Sequence, residues 1–221
     1  MHTNCTSSRG VRRARMLDWA WDKTAGRNGH TFVTPSPSQS QRAMASYKLN
    51  RMASTIRKME NVLPKSLHPL GYTFVFNNMV KLAGTAGLRV AKLTGREVEV
   101  SLKNKRRIRN HIGGLHACSM ALAAESATGM IVGMNVRDTH IPLIKAMNIK
   151  FVRRCQGDIR AKATLSEEDY ERIHEEDKGD VTVEVTVEDE SGQEPIEAEM
   201  VWAWVSKDRK TRPSKEDDGE A

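Results

Sequence analysis

Asn110–Glu125, NHIGGLHACSMALAAE, is the stretch on which the reading of the fold turns. Its first seven residues are polar and glycine-rich, the composition of a loop that meets a helix N-terminus. Free backbone N–H groups at such a point can bind an oxyanion or a carbonyl oxygen. From Gly113 to Val136 the chain is too long for a strand and rich in Ala and Met, so it reads as one long helix. Glu125 is the only charged residue between Ala117 and Val136. A carboxylate in the middle of an apolar helix is costly unless paired, hydrogen-bonded or protonated. Two readings follow: an ion pair with a neighbouring strand Arg or Lys, or a chemical role.

Outward from this segment the periods change. Leu88–Thr94 and Glu97–Lys103 read as strands joined at Gly95-Arg96, with Val98, Val100 and Leu102 alternating with Glu97, Glu99 and Ser101. Before them Thr73–Leu82 suits a short amphipathic helix. After Pro142, Met147, Ile149 and Phe151 share one strand face, and Ile159, Ala161 and Ala163 mark the next strand beyond a turn at Gln156-Gly157. Ser166-Glu167-Glu168-Asp169 opens a capped acidic helix. Val181, Val183, Val185 and Val187 alternate with polar residues, a turn falls at Ser191-Gly192, and Ile196, Ala198, Met200, Trp202 and Trp204 face one side of the last strand. The order predicts an α+β fold, one antiparallel sheet against one helix. That sheet must curl around the helix, and Ala117, Ala121, Ala124, Gly129 and Gly133 are the points where close approach is expected.

Residues 1–60 hold eleven Lys and Arg against three Asp and Glu, an excess of eight, whereas the whole chain is +7, so the remainder carries −1. The positive charge lies on a leader rather than on the fold, which argues against a nucleic-acid binder. That leader is Ser/Thr-rich, lacks acid before Asp18 and reads either as a disordered basic segment or as a mitochondrial presequence, so the expected location is cytoplasmic or mitochondrial. Thr34–Gln41 reads as a linker and Lys207–Ala221 as a charged tail, leaving 61–206 as the folded domain. No run of eighteen uninterrupted apolar residues occurs, so no membrane span is expected. Cys5, Cys118 and Cys155 have neither metal nor disulfide spacing, and no metal or cofactor is expected. Cys118 reads as a small packed residue, and His111 and His140 as loop residues.

The pattern Asn110-x5-His116-x8-Glu125 resembles the active-site segment of hotdog-fold thioesterases of the phenylacetate-degradation type, and more closely a poorly characterised hotdog branch related to them. The resemblance spans about Gly84 to Val205 and implies a hotdog fold, a curled antiparallel sheet wrapped around one long central helix. It implies that Asn110 and His116 orient a thioester, that the backbone N–H of Ala117 polarises its carbonyl, and that Glu125 activates water or attacks directly. The related proteins often have Gly-Gly after the His, where this chain has Ala117-Cys118, and some place Ser or Thr where Ile144 stands here. Gly114 and the loop cations Arg106, Arg107 and Arg109 are candidate contacts to the substrate, the arginines toward the phosphates of CoA, unless they are only a solvated basic loop.

Helix geometry adds a constraint. Ala117 and Glu125 are eight residues apart, about 12 Å along a helix axis. One subunit therefore cannot bring both to one thioester, whereas two antiparallel helices across a two-fold axis can. The expected protein is an acyl-CoA thioesterase, a homodimer or dimer of dimers. The alternative is a non-catalytic hotdog domain that binds acyl thioesters or serves as an assembly scaffold.

Overall fold

The computed structural model describes residues 47–207. Three helices come first: α1 (Arg51–Val62), α2 (His68–Met79) and α3 (Lys81–Ala86). Then follow β1 (Arg89–Leu93), β2 (Glu97–Leu102), the long helix α4 (Ala117–Asn135), β3 (His140–Phe151), β4 (Ile159–Thr164), α5 (Glu167–Glu175), β5 (Gly179–Asp189) and β6 (Ile196–Ser206). The six strands form one antiparallel sheet in the order β1-β2-β4-β5-β6-β3, curled around α4. This is the hotdog arrangement expected from the sequence.

The alternations hold where the sheet is interior. Val98, Val100 and Leu102 of β2 are buried, as are Ile159, Ala161 and Ala163 of β4 and Val181, Val183 and Val187 of β5. Met200, Trp202 and Trp204 of β6 complete the layer that meets α4. The Ser166 side chain accepts from the Asp169 N–H and starts α5, as its sequence predicts.

Three expectations change. The boundary set at residue 60 falls inside α1, whose Ala53 and Ile56 are buried; the basic leader beyond it lies outside the described residues, as does the tail after Lys207. Asn50 caps α1 and also donates to the carbonyls of Gly133 (2.7 Å) and Val136 (2.6 Å), fastening this helix to the end of α4. The predicted helix Thr73–Leu82 is two helices, broken at Val80 and ended by Gly87 at φ 75°. In β3 the face of Met147 and Phe151 is exposed rather than buried, because β3 is an edge strand and begins earlier, at His140, which is itself buried.

The connection from β3 to β4 is pinned by Asp189. Its carboxylate accepts from the Gln156 N–H, the Ser191 N–H and hydroxyl, and Arg153 at 2.6 Å. Burial alone would push this carboxyl up, but those donors hold it well below the usual carboxylate range.

Of the five small helix positions, Ala117 lies exposed and Ala121 half-buried, so the sheet does not press on either. Ala124 is fully buried. Gly129 is the tightest: a methyl there would meet two ring atoms of Trp202 at 2.8 Å. The indole cannot readily swing away, because its N–H donates to the Thr128 hydroxyl at 2.9 Å. At Gly133 a methyl would meet only the Met52 sulfur, at 3.4 Å. Gly129→Ala is therefore expected to lose about 1–3 kcal/mol from overpacking, against a helix-propensity gain of about 1 kcal/mol. Gly133→Ala should keep most of that gain. Urea unfolding of the two variants checks this, and a Gly129→Ala protein at least as stable as its parent would contradict the packing described.

Candidate active site

The sheet leaves one stripe of α4 open. Ala117 and Cys118 are exposed, and Ala121, Leu122 and Glu125 are half-buried, at spacings that return to one side of a helix, up to Gly129, where the Trp202 ring closes over it. Cys118, expected from its residue type to pack, instead lies on this uncovered stripe. Glu125 sits near the middle of the stripe. Its Oε1 lies over Gly129, beside Trp202, and its Oε2 accepts from the Ser126 hydroxyl at 3.4 Å. It forms no ion pair among the described residues, so the structural ion-pair reading is not what the fold uses. Burial raises its carboxyl above the ordinary glutamate value, and the Ser126 hydrogen bond only partly offsets this.

The head of α4 is built by His116 and the loop before it. His116 caps the helix, with its Nδ1 accepting from the Cys118 N–H at 3.1 Å. In the neutral ring the proton is then on Nε2, which is left as the outward donor. The Ser119 N–H is taken by the His116 carbonyl. The Ala117 N–H, as a first-turn donor, has no acceptor among the described residues.

Asn110 is committed to the loop. Its Oδ1 accepts from the N–H groups of Ile112 (3.1 Å) and Gly114 (3.0 Å), and its Nδ2 donates to the Leu115 carbonyl at 3.2 Å. It holds the turn at Gly113, where φ is 82°, and so aims Leu115 and His116 into the helix. Arg109, expected among the substrate contacts, is also a loop clamp: it donates to Oδ1 and to the carbonyl of Asn104. Asn104 in turn receives support from Asp158, through its N–H at 2.7 Å, and reaches the Gly113 carbonyl. Arg106 and Arg107 are exposed and make no ion pair among the described residues. Gly114 lines a concavity of about 360 Å³ with Asn104, Arg154 and Gln156.

The loop clamp of Asn104, Arg109 and Asp158 was not legible, since it joins residues 54 apart in sequence. The Trp202–Thr128 contact beside Glu125 was equally hidden, although both residues were placed on the correct elements. Ile144 sits at an irregularity of β3, opposite Trp202.

A curled antiparallel sheet around one long helix is the hotdog fold, here with a carboxylate on that helix and an open amide at its head. The chain belongs to the family described as a domain of unknown function, DUF4442, whose model matches residues 72–205. Among curated proteins, none matches the sequence. Among solved structures, a Pseudomonas aeruginosa protein of unknown function, described as a probable thioesterase, is similar at 24% identity and TM-score 0.56 over 65% of this chain and 97% of its own. A thioesterase from Pseudomonas aeruginosa, solved as a point mutant, is similar at 17% identity and TM-score 0.51, over 61% of this chain and 94% of its own. Both likenesses concern the fold.

The loop makes a separable prediction. Asn110→Ala removes three hydrogen bonds, and Arg109→Ser removes two. Each should lower unfolding free energy by about 1–3 kcal/mol. Arg106→Ser and Arg107→Ser should stay within about 0.5 kcal/mol of the parent. Thermal and urea midpoints of the four variants decide it; equal stability for Arg109→Ser and Arg106→Ser would show that the clamp carries no weight.

Proposed function

We propose that the protein hydrolyses an acyl-CoA thioester to a free acid and CoA, as a homodimer with two shared sites. The observation that carries this reading is Glu125: a half-buried carboxylate with a raised pKa and no counter-ion among the described residues, on the stripe of the core helix that the sheet leaves open. A structural role gives no reason to keep such a group, whereas a general base has use for it. Of the two named structural relatives, one is described as a probable thioesterase and the other as a thioesterase, which favours the same reaction class.

In this reading Glu125 takes a proton from water and the resulting hydroxide attacks the thioester carbonyl carbon. The Ala117 N–H holds the oxyanion, helped by the positive end of α4. The C–S bond then breaks, and protonated Glu125 returns its proton to the departing thiolate. His116 donates from Nε2 to orient the thioester. Asn110 acts through the loop, as a positioning residue for His116 and Ala117. Gly114 lies beside the entering substrate, and Arg106 and Arg107 are the unpaired cations available to CoA phosphates.

A distance and an open sheet edge support the dimer. Glu125 and Ala117 of one chain lie about 12 Å apart along the axis, so the amide must come from a second α4. β3 offers a twelve-residue unpaired edge, with Ile141, Leu143, Ile144, Met147 and Phe151 exposed along it. A long apolar edge of this kind needs a covering partner. A second β3 across a two-fold axis would extend the sheet and bring the two open stripes together.

A non-catalytic, thioester-binding hotdog domain is the second reading, favoured by Ile144 in place of a hydroxyl and by Asn110 being engaged in the loop. An assay against a panel of acyl-CoAs separates the two. Hydrolysis should be measurable, and Glu125→Gln should lower kcat by at least about a hundredfold with the fold intact. Binding of acyl-CoA without turnover in the parent protein would favour the second reading.

The sign of the pH dependence follows from the raised carboxyl. The base works only when ionised, so kcat/KM falls as pH drops through a value above the ordinary glutamate range of about 4.3. An acid limb at or below that value, measured at saturating salt, would exclude Glu125 as the base.

Shared sites are tested by subunit mixing. An Asn110→Ala/His116→Ala chain and a Glu125→Gln chain are each inactive alone, but their heterodimer contains one intact site. Purified heterodimers should recover about half of the parent activity per dimer. Inactive heterodimers beside an active parent would rule out the shared arrangement.

A further inference from the structure

The N-terminal helices carry a surface that the hydrolytic site does not use. On α2, Tyr72 and Phe76 are buried, while Leu67, just before it, and Leu70 and Phe74 lie on the opposite side. These three recur at the spacing of one helix face. Leu70 is 68% and Phe74 72% exposed, and at the two ends of the segment Val62 is 81% and Leu82 65% exposed. Isolated exposed apolar residues are ordinary, but a helical row of large ones marks an interaction surface.

The charge around this row is one-sided. From Asn61 to Arg96 there is no Asp or Glu. Lys65 and Lys81 flank α2, Arg57 and Lys58 are exposed on α1, and none of the four is in an ion pair among the described residues. Glu60, the one acid of α1, accepts from the Tyr72 hydroxyl at 2.5 Å and faces the α1–α2 contact.

We propose that the outer face of α2, with its flanking lysines, docks the protein on an anionic lipid surface. An apolar row rimmed by unpaired lysines is the pattern of a helix lying in the headgroup region, with phosphates taken by the cations and Leu70 and Phe74 entering the acyl boundary. A second copy fits the face less well. An isologous contact would set Lys65 and Lys81 against their own equivalents with no acid between Asn61 and Arg96 to neutralise them. The proposal stands apart from the thioesterase reading, since it involves neither Glu125 nor α4.

The test uses the full chain in co-sedimentation with vesicles of phosphatidylglycerol and phosphatidylcholine, and with phosphatidylcholine alone. Binding is expected to the anionic vesicles. Leu70→Ser/Phe74→Ser keeps every charge and should weaken that binding about tenfold or more, while circular dichroism and thermal midpoint stay near the parent's. Lys65→Glu/Lys81→Glu leaves the apolar row in place and should also weaken binding. A Phe74→Trp reporter should shift to the blue on anionic vesicles and be quenched by brominated lipid. Equal binding by the Leu70→Ser/Phe74→Ser protein would assign lipid attraction to the basic leader and overturn the proposal. So would an absence of vesicle binding by the parent, or a drop in oligomer mass in that variant with lipid binding unchanged.

Discussion

Nineteen residues of helix lie inside a sheet that reaches only part of the way around them, and the proposed chemistry depends on the part left open. Strand order explains why. With β1 and β3 as the two edges, the sheet closes over the sides of α4 that carry Ala123, Ala124, Ala127, Met130 and Ile131, all buried. The helix is apolar and long enough to suit a membrane by composition, yet it is the core of a wrapped domain. Polar groups survive on it only where the wrap is incomplete or where a partner is supplied. Thr128 has its partners in the Ala124 carbonyl and the Trp202 indole, and Asn135 has two backbone carbonyls. Among the described residues the Glu125 carboxylate has only the neighbouring Ser126 hydroxyl.

The fold was legible because the interior strands are buried on one face and solvated on the other. β2, β4 and β5 obey strict alternation, so their burial could be read directly. β3 broke the rule for a physical reason. Its apolar residues alternate as if for a core, but among the described residues nothing covers that face. Apolar periodicity reports that a surface will be covered and is silent on whether the cover is the same chain. The first helix does carry a helical period, with Met52, Ala53, Ile56 and Met59 on the face that packs against the core, but Arg51, Arg57 and Lys58 among them make the segment read as part of the basic leader.

The site was legible in part. Spacing along one helix is rigid, so the heights of Glu125 and the head of α4 relative to one another follow from residue numbers alone. Loop side chains have no such ruler. Asn110 and Arg109 have the chemistry of groups available to a ligand, and the structure instead commits both to the loop's own backbone and to Asn104. Their hydrogen bonds close onto neighbours two to five residues away, a use of Asn and Arg that no period announces. The distinction matters for reading mutants, because a loss at Asn110 would move His116 and Ala117 together.

The separation of cations from Glu125 is the feature that joins these observations. The loop before α4 is rich in Lys and Arg, and one of them near Glu125 would hold its carboxyl low and make it a poor base at neutral pH. The fold keeps them away by direct means. Arg109 is tied to Asn104, Arg154 reaches the Ile112 carbonyl, and Arg153 is taken by Asp189. Between these clamps and Glu125 stand about two turns of α4, whose uncovered residues are Ala117, Cys118, Ala121 and Leu122 rather than charged groups. The loop's positive charge is thus held at the head of α4, and the carboxylate remains in surroundings that raise its proton affinity. A single helix can support both conditions only by placing them at different heights, and in the proposed hydrolysis that same separation is what calls for a second helix.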